Sequence, residues 1–242
     1  MAPQDHVIVT CEHGGNLVPP EHAALFTRQE ALLASHRGWD PGALELGRQI
    51  AQAVSAPLLA STVTRLLIDL NRSIGHPDLH LPAIAMLPAA ARQAIARQFY
   101  FPHRDAVMAA VATVVDGGGR VIHVASHSFT PERDGIVRQA DVAWLYDPGR
   151  PGEPAFAAQW RSRLQARRPD LRLRRNYPYR GKEDGLTRQL RRTYSAQQYV
   201  GIELEINQRF VLAGGASWPA LCRAVVDAFV DAFLHARVGV VR

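Results

Sequence analysis

Short apolar runs alternate with stretches of helical periodicity along this chain. Four of these runs are rich in β-branched residues and bounded by turn formers, a pattern that predicts short buried strands. They cover residues 7–10, 66–68, 121–125 and 199–202. The clearest helical stretch follows Asp40-Pro41 and extends over residues 42–54, where apolar residues recur near one face.

Further strands are predicted within residues 57–68, 143–146 and 171–175, and a polar loop over 129–142. Further helices are predicted at residues 28–35, 89–113 in two segments meeting near Pro102, 154–167, 186–195 and 218–236. This alternation predicts an α/β fold with a mixed, mostly parallel sheet flanked by helices. The length of 242 residues and the hydrophobic fraction of 47% favour one domain over residues 1–242.

Polar side chains follow each of the four runs. The segments are Cys11-Glu12-His13-Gly14-Gly15-Asn16, Asp69-Leu70-Asn71-Arg72, Ser126-His127-Ser128-Phe129-Thr130 and Glu203-Leu204-Glu205-Ile206-Asn207. Ligands of open α/β sheets collect at the carboxyl ends of the strands. Zinc takes imidazole nitrogen and carboxylate oxygen, and a catalytic zinc needs three protein ligands. His13 and His127, which follow two different strands, are the first two candidates.

Glu203 and Glu205 fall on one face of a strand, because side chains alternate with a period of two. Burying two carboxylates on one face is costly unless each has a partner. We expect one of them to act as general base and general acid, a role suited to a carboxylate with a raised pKa.

Composition limits the compartment and the partners. Two cysteines are too few for a disulfide framework, and neither a secretory leader pattern nor an apolar run of membrane-spanning length is evident. We therefore expect a soluble cytoplasmic protein that does not bind membranes. The net charge of +6 leaves several anionic partners open. The densest basic stretch, residues 161–175, lacks interleaved aromatic residues, which favours a small anionic molecule over nucleic acid. Nothing in the sequence indicates the oligomeric state.

Six segments together resemble the N-formylglutamate amidohydrolase family over residues 7–210. They are Cys-Glu-His-Gly-Gly-Asn at 11–16, Gly-Trp-Asp-Pro-Gly-Ala at 38–43, Ile-Asp-Leu-Asn-Arg at 68–72, Ser-His-Ser-Phe-Thr-Pro at 126–131, Asn-Tyr-Pro-Tyr with a following glycine at 176–181, and Glu-Ile-Asn-Gln at 205–208. Each segment alone is weak, but their combination in this order is specific. The resemblance implies a fold similar to zinc carboxypeptidases and to the aspartoacylase and succinylglutamate desuccinylase group, with one zinc ion.

The resemblance also implies roles for the metal ligands. His13 and His127 match the two histidines of the carboxypeptidase-like relatives. Their glutamate falls on Asn16, and a neutral amide is a poor zinc ligand. We expect Asp40 to replace it, because related zinc amidases that cleave muramoyl amides have a glutamate at this helix start. An ordinary helix N-cap explains Asp40 equally well. Glu12 is a further candidate, although strand alternation points it away from His13.

Asn71 and Arg72 match the pair that binds the substrate carboxylate in carboxypeptidases and aspartoacylases. A guanidinium suits a carboxylate because its planar fork donates bidentately, and strand alternation would separate Arg72 from Asp69. Asn207 stands where many relatives have arginine. A substrate with two carboxylates needs a second cation, for which we select Arg138. The other eligible loop residues are Arg133, Arg180 and Lys182.

The family pattern favours Glu205 as the base, whereas the aspartoacylase-like Gly-Val-Glu pattern favours Glu203. The resemblance implies hydrolysis of N-formyl-L-glutamate to formate and L-glutamate, a reaction of histidine degradation. Two alternatives stay open. The chain could cleave another N-acyl amino acid or a cell-wall amide, or it could be a non-catalytic binding protein that has lost the metal.

Overall fold

Six of the strands form one mixed sheet in a computed structural model that describes residues 3–238. The two positions before and the four after this range, which the predicted domain 1–242 includes, lie outside the described residues. The strands are β1 (Asp5–Cys11), β2 (Leu58–Ala60), β3 (Arg120–Phe129), β4 (Glu132–Arg133), β5 (Ile136–Val137), β6 (Val142–Leu145), β7 (Leu173–Arg175) and β8 (Tyr199–Asn207). The α-helices are α1 (Glu30–Ala34), α2 (Ala43–Ala53), α3 (Pro82–Ala85), α4 (Ala89–Ile95), α5 (Phe101–Asp116), α6 (Gly152–Arg167), α7 (Leu186–Thr193), α8 (Arg209–Leu212) and α9 (Ser217–Val238).

The sheet has the order β2-β1-β3-β8-β6-β7, and β6 is antiparallel to β8 while the other neighbours are parallel. The predicted α/β fold with a mixed, mostly parallel sheet is therefore confirmed. The strands β1, β3 and β8 lie side by side at its centre and point in the same direction, so their carboxyl ends meet at one edge. The predicted polar loop over residues 129–142 contains a small hairpin of β4 and β5.

Helices cover both faces of the sheet. The larger core lies between one face and α2, α6 and α9, where the rings of Trp160 and Phe229 are 4.8 Å apart. A smaller core on the other face joins Ile8 and Val121 of the sheet to Val107 of α5 and Leu190 of α7. Burial of this apolar area, at roughly 25 cal/mol per Å², holds the central strands in a fixed frame.

The prediction of a strand at residues 66–68 is wrong. Of the strand pair predicted over residues 57–68, only Leu58–Ala60 forms a strand. Leu66, Leu67 and Ile68 are buried, but they lie in turns and pack in a separate cluster with Phe26 and Ile84. An apolar run indicates burial, and here the burial comes from a loop-rich cluster beside the sheet. Alternation arguments for Asp69 and Arg72 therefore do not apply.

The long helical stretch after residue 89 is continuous through a π-helical turn at Ala96–Tyr100, and Pro102 lies in the first turn of α5. Proline lacks the N–H that would continue the helical hydrogen-bond ladder, and the π-helical turn directly precedes α5. Among residues 3–238, no helix combines the length and apolarity that crossing a bilayer requires.

Candidate active site

The carboxyl ends of β1, β3 and β8 bring polar side chains from three strands together. His13 follows β1, His127 lies near the end of β3, and Glu205 lies on β8. His127 and Glu205 are direct register partners on adjacent parallel strands, so their side chains project from the same face. All three residues are at least nine-tenths buried. Strand pairing therefore places His127 beside Glu205, and His13 follows the neighbouring strand in the same buried region.

Asp40 completes a compact group with the two histidines. One ligand atom from each of His13, Asp40 and His127 lies within 4.8 Å of the others. The Oδ2 atom of Asp40 is 3.3 Å from Nδ1 of His13 and 3.0 Å from Nδ1 of His127. Its backbone N–H donates to the His13 carbonyl at 2.9 Å, which fixes the loop beside the histidine.

The alternative interpretation of Asp40 as a helix cap is wrong. Helix α2 begins at Ala43 with Gly42 as its N-cap, and no side chain caps it. Gly42 has φ of +80°, a left-handed conformation that glycine adopts at low cost. The chain can therefore enter α2 through Gly42 while the Asp40 carboxylate turns towards the histidines.

Both histidines also have a carboxylate on their far side. Nε2 of His13 lies 2.7 Å from Oδ1 of Asp69, and Nε2 of His127 lies 3.1 Å from Oε2 of Glu12. Each imidazole thus turns Nδ1 towards Asp40 and Nε2 towards a buried carboxylate. An outer carboxylate of this kind fixes the tautomer and the ring orientation of a metal-binding histidine.

Arg65 links the two aspartates. Its guanidinium lies 3.3 Å from Oδ1 of Asp40 and 2.7 Å from Oδ2 of Asp69. Burial alone would raise the pKa of each aspartate, but Arg65 and the histidines hold the pKa of both carboxyls below the usual range. The two aspartates are therefore ionised at neutral pH.

The neighbours of His127 likewise favour the charged form of this side chain. Burial lowers the pKa of this imidazole, but hydrogen bonding with Asp40 and attraction to Glu12 raise it well above its ordinary value. Burial would raise the pKa of Glu12, yet the imidazoles of His103 and His127 hold it well below the usual range. Oε1 of Glu12 lies 3.6 Å from Nε2 of His103. The site is thus a pair of imidazoles among anionic carboxylates, which attracts a cation.

These donors fit a zinc-type ion. Imidazole nitrogen and carboxylate oxygen are zinc ligands, and three protein ligands are typical of catalytic sites. The inner set His13, Asp40 and His127 presents two nitrogens and a carboxylate oxygen at mutual distances short enough for one ion. Asn16 is not part of this set, because its side-chain amide donates to the Leu33 carbonyl.

The two glutamates of β8 have different surroundings. Glu203 accepts a hydrogen bond from the Thr187 hydroxyl of α7. Glu205 is 6% exposed, and its Oε2 has no hydrogen-bond partner among the described residues. Burial raises the pKa of Glu205 to about 8, and the nearby charge of Asp40 adds to this effect. Glu205 is therefore the carboxyl that can exchange a proton near neutral pH.

Asn71 holds the start of α7 beside the site. Its Oδ1 accepts from the Leu186 N–H at 2.7 Å, and its Nδ2 lies 3.5 Å from Nε2 of His127. A Cβ atom on Gly185 would come within 2.9 Å of this Oδ1, so glycine permits the close approach. Asn71 thus has a structural role in addition to its position near His127.

Arg72 uses only part of its guanidinium for hydrogen bonds within the protein. Its Nη1 donates to the Asp184 carbonyl at 3.1 Å, whereas its Nε is buried without a hydrogen-bond partner. Its carbonyl accepts from Tyr100 and Arg104. The guanidinium therefore retains donors for an anion.

Arg138 is 8% exposed and pairs with no carboxylate within the described range 3–238. Its guanidinium lies over the rings of Phe129 and Tyr179, Nη2 donates to the Tyr179 hydroxyl at 3.2 Å, and Nη1 is buried without a partner. Arg133 is exposed beside Asp134. Arg180 and Lys182 are also exposed.

Sequence reasoning missed three contributors to the site. Arg65 and Asp69 lie in the irregular segment after β2 and His103 lies on α5, and each contacts a residue distant in sequence. The position of Asp69 directly after an apolar run was the one signal that the sequence offered. Glu12 was considered as a ligand, whereas the structure places it behind His127.

The comparisons with known proteins concern the chain as a whole. The family model for N-formylglutamate amidohydrolase matches residues 5–212. A search among curated proteins found no match.

Two solved structures share the fold. The gene product Atu2144 from Agrobacterium tumefaciens is 26% identical, with a TM-score of 0.81 over 97% of this chain and 93% of that chain. The N-formylglutamate amidohydrolase from Ralstonia eutropha JMP134 is 18% identical, with a TM-score of 0.72 over 98% of this chain and 97% of that chain. The match of the family model over most of the length confirms the resemblance in sequence, and the chain belongs to the N-formylglutamate amidohydrolase family.

Proposed function

We propose that this protein is a metal-dependent amidohydrolase that converts N-formyl-L-glutamate to formate and L-glutamate. The observation that carries the proposal is the buried group of His13, Asp40 and His127 beside Glu205, at the carboxyl ends of the central strands. Family membership supports the amidohydrolase chemistry. The donor set supports a zinc-type ion.

In this proposal His13, Asp40 and His127 hold one divalent ion. When bound, the ion would lower the pKa of a water molecule and polarise the amide carbonyl. The carboxylates of Asp69 and Glu12 orient the two imidazoles from behind. Arg65 keeps Asp40 and Asp69 ionised and fixed.

Glu205 would serve as the proton carrier. Its unpartnered Oε2 and its raised pKa suit it to accept a proton from the attacking water and to return it to the leaving amine. A bound cation would lower this pKa towards neutrality by attraction. Glu203, which accepts a hydrogen bond from Thr187, would instead support the strand and the start of α7.

Arg138 and Arg72 would bind the two carboxylates of the substrate. Both have buried donors without partners, and a guanidinium that lacks a carboxylate partner gains more from an incoming anion than one already paired. The rings of Phe129 and Tyr179 flank Arg138 and would cover the methylene groups of glutamate.

Metal analysis and a substrate panel test the proposal. The purified protein should hold about one equivalent of zinc or recover activity with it, and N-formyl-L-glutamate should be cleaved faster than the N-acetyl and N-succinyl compounds. His127→Ala should lose both metal and activity, while Arg223→Gln, on the exposed face of α9, should keep both.

Other results would reject parts of the proposal. Preference for another acyl group or for a cell-wall amide would leave the metal site in place and replace the substrate. A protein that binds no zinc, or His127→Ala with unchanged metal content and amidase activity, would exclude the metal-dependent mechanism.

A further inference from the structure

A second concave surface, separate from the active site, is lined by basic side chains. It has a volume of about 250 Å³ and is lined by Asp147, Arg150, Lys182, Arg188, Arg191 and Arg192. Asp147 is the one acidic residue of this lining, and its Oδ1 already accepts from the Gly149 N–H at 2.9 Å. We call this group the basic pocket.

Two of its arginines form a fixed wall. Arg191 lies 2.9 Å from Oε1 of the buried Glu153, and Arg150 lies 3.3 Å from the same oxygen. Both also donate to backbone carbonyls, Arg191 to Gly201 and Arg150 to Tyr199. Glu153 thus holds two guanidinium groups and balances one of their charges.

The remaining three cations have no such balance. For Lys182, Arg188 and Arg192, the part of the chain covered by the structure supplies neither a carboxylate within ion-pair distance nor a side-chain hydrogen bond. Arg188 and Arg192 are one helical turn apart on α7, a spacing at which like charges repel. An anion in the pocket would relieve this repulsion.

The helix dipole explains only part of the arrangement. Arg191 and Arg192 lie in the last turn of α7, where basic residues are favourable. Arg188 lies in the first half of that helix, Lys182 in the preceding loop, and Arg150 before α6. The convergence of separate elements on one cavity indicates a binding site for an anion.

Helix α7 contributes residues both to the surroundings of the active site and to the basic pocket. Leu186 and Thr187 contact Asn71 and Glu203 at the start of the helix. Arg192 is five residues beyond Thr187, roughly 7.5 Å along the axis at 1.5 Å per residue, whereas Arg191 donates to the Thr187 hydroxyl at 3.1 Å. The pocket lining shares no residue with the metal group or with Glu205, Arg72 and Arg138, so a ligand of the pocket need not compete with the amide substrate.

We propose that the basic pocket binds a small multivalent oxyanion of the phosphate class, either inorganic or as a phosphate ester. Several convergent arginines with one lysine suit this chemistry, because guanidinium groups donate bidentately to phosphate oxygens and lysine adds a point charge. The cavity of about 250 Å³ accommodates a molecule of pyrophosphate size, with Arg150 and Arg191 as the wall and Lys182, Arg188 and Arg192 as donors without a protein partner.

Titration with inorganic phosphate and with pyrophosphate tests this site. Binding is measured by calorimetry and by ³¹P line broadening at constant ionic strength, with chloride as the balancing anion. We expect saturable binding that the double variant Arg188→Gln/Arg192→Gln weakens about tenfold or more, since each charged contact contributes substantially to anion affinity. The control Arg97→Gln/Arg223→Gln removes two exposed charges elsewhere and should bind like the wild type.

Arg138→Gln separates the basic pocket from the active site. Phosphate binding that survives in Arg138→Gln and falls in the double variant supports the proposal. The same pattern with pyrophosphate also supports it. Binding that falls in Arg138→Gln but not in the double variant would assign the anion to the active site and overturn it. An absence of saturable binding at millimolar phosphate would overturn it as well. These readouts need neither metal nor turnover, so they are independent of the proposed amidohydrolase activity.

Discussion

Nε2 of His13 lies 2.7 Å from Oδ1 of Asp69, and the Nδ1 atom of the same ring faces Asp40 at 3.3 Å. Asp69 thus holds the ring so that its other nitrogen is presented to the centre of the site. Glu12 does the same for His127 from the opposite side, at 3.1 Å. The two imidazoles therefore have one inner carboxylate in common and one outer carboxylate each.

Asp69→Asn should weaken zinc binding by about 10–100-fold, the usual effect of removing the partner behind a metal-binding histidine. The amide keeps the shape but loses the charge that orients His13 and pairs with Arg65. Zinc affinity is measured by competition with a chelator. Glu12→Gln should show a similar loss through His127. Wild-type affinity in both variants would show that the outer carboxylates do not position the histidines.

Glu205→Gln should lower kcat by roughly 10²–10⁴-fold, the range that a positioned general acid and base contributes. Its zinc content should stay close to that of the wild type, because Glu205 lies beside the inner donor set without belonging to it. The matched variant is Glu203→Gln on the same face of β8. It should retain more activity, since Glu203 is occupied by Thr187. A larger loss of kcat in Glu203→Gln would exchange the two roles.

The sequence predicted the central part of the fold because β1, β3 and β8 are apolar runs in a parallel sheet. Such strands read as continuous hydrophobic segments, and polar residues at their ends identify one edge of the sheet. His13, His127 and Glu205 could be placed near each other on that basis. Their exact register, which pairs His127 with Glu205, needed the structure.

The second half of the site could not be predicted because it depends on turns. Residues 65–67 form a turn, and Arg65 and Asp69 converge on His13 and Asp40 from this segment. The strand predicted for residues 66–68 gave the wrong side-chain directions for this segment. Strand alternation placed Glu12 outside the inner donor set, and the described group of ligands does not include it. The pattern of one strand gives no information on the contact between Glu12 and His127 of β3.

Arg138→Gln should lower kcat/KM for N-formyl-L-glutamate by about 10–100-fold, because a hydrogen bond to a charged group contributes about 1.5–3 kcal/mol. N-formyl-L-glutamine, which lacks the side-chain charge, should be affected less. Steady-state kinetics with both compounds measure the difference. An equal loss for both would show that Arg138 does not read the side-chain carboxylate, and Arg223→Gln controls for the loss of one surface charge.

His123, a buried histidine outside the proposed ligand set, gives a pH dependence of stability. It is fully buried, with Nε2 at 2.9 Å from the Thr10 hydroxyl and Nδ1 at 2.7 Å from the Tyr199 hydroxyl. Each hydroxyl can donate or accept, so the neutral ring satisfies both contacts. Burial is the largest cause that lowers the pKa of His123, to about 4.

The sign of the effect follows from the two states. The unfolded chain takes up a proton on His123 below a pKa of about 6.5, whereas the folded chain does so only near pH 4. The contribution of neutral His123 to the free energy of unfolding is therefore fully present above about pH 6.5. It is lost as the pH falls towards 4, by up to about 3 kcal/mol. His123→Gln should be less stable than the wild type at pH 7.5 and should lose less stability on acidification. Urea denaturation of both proteins at pH 7.5, 6 and 5 measures this difference, with His235→Gln as an exposed histidine control. Parallel losses in wild type and His123→Gln would show that His123 does not titrate in this way.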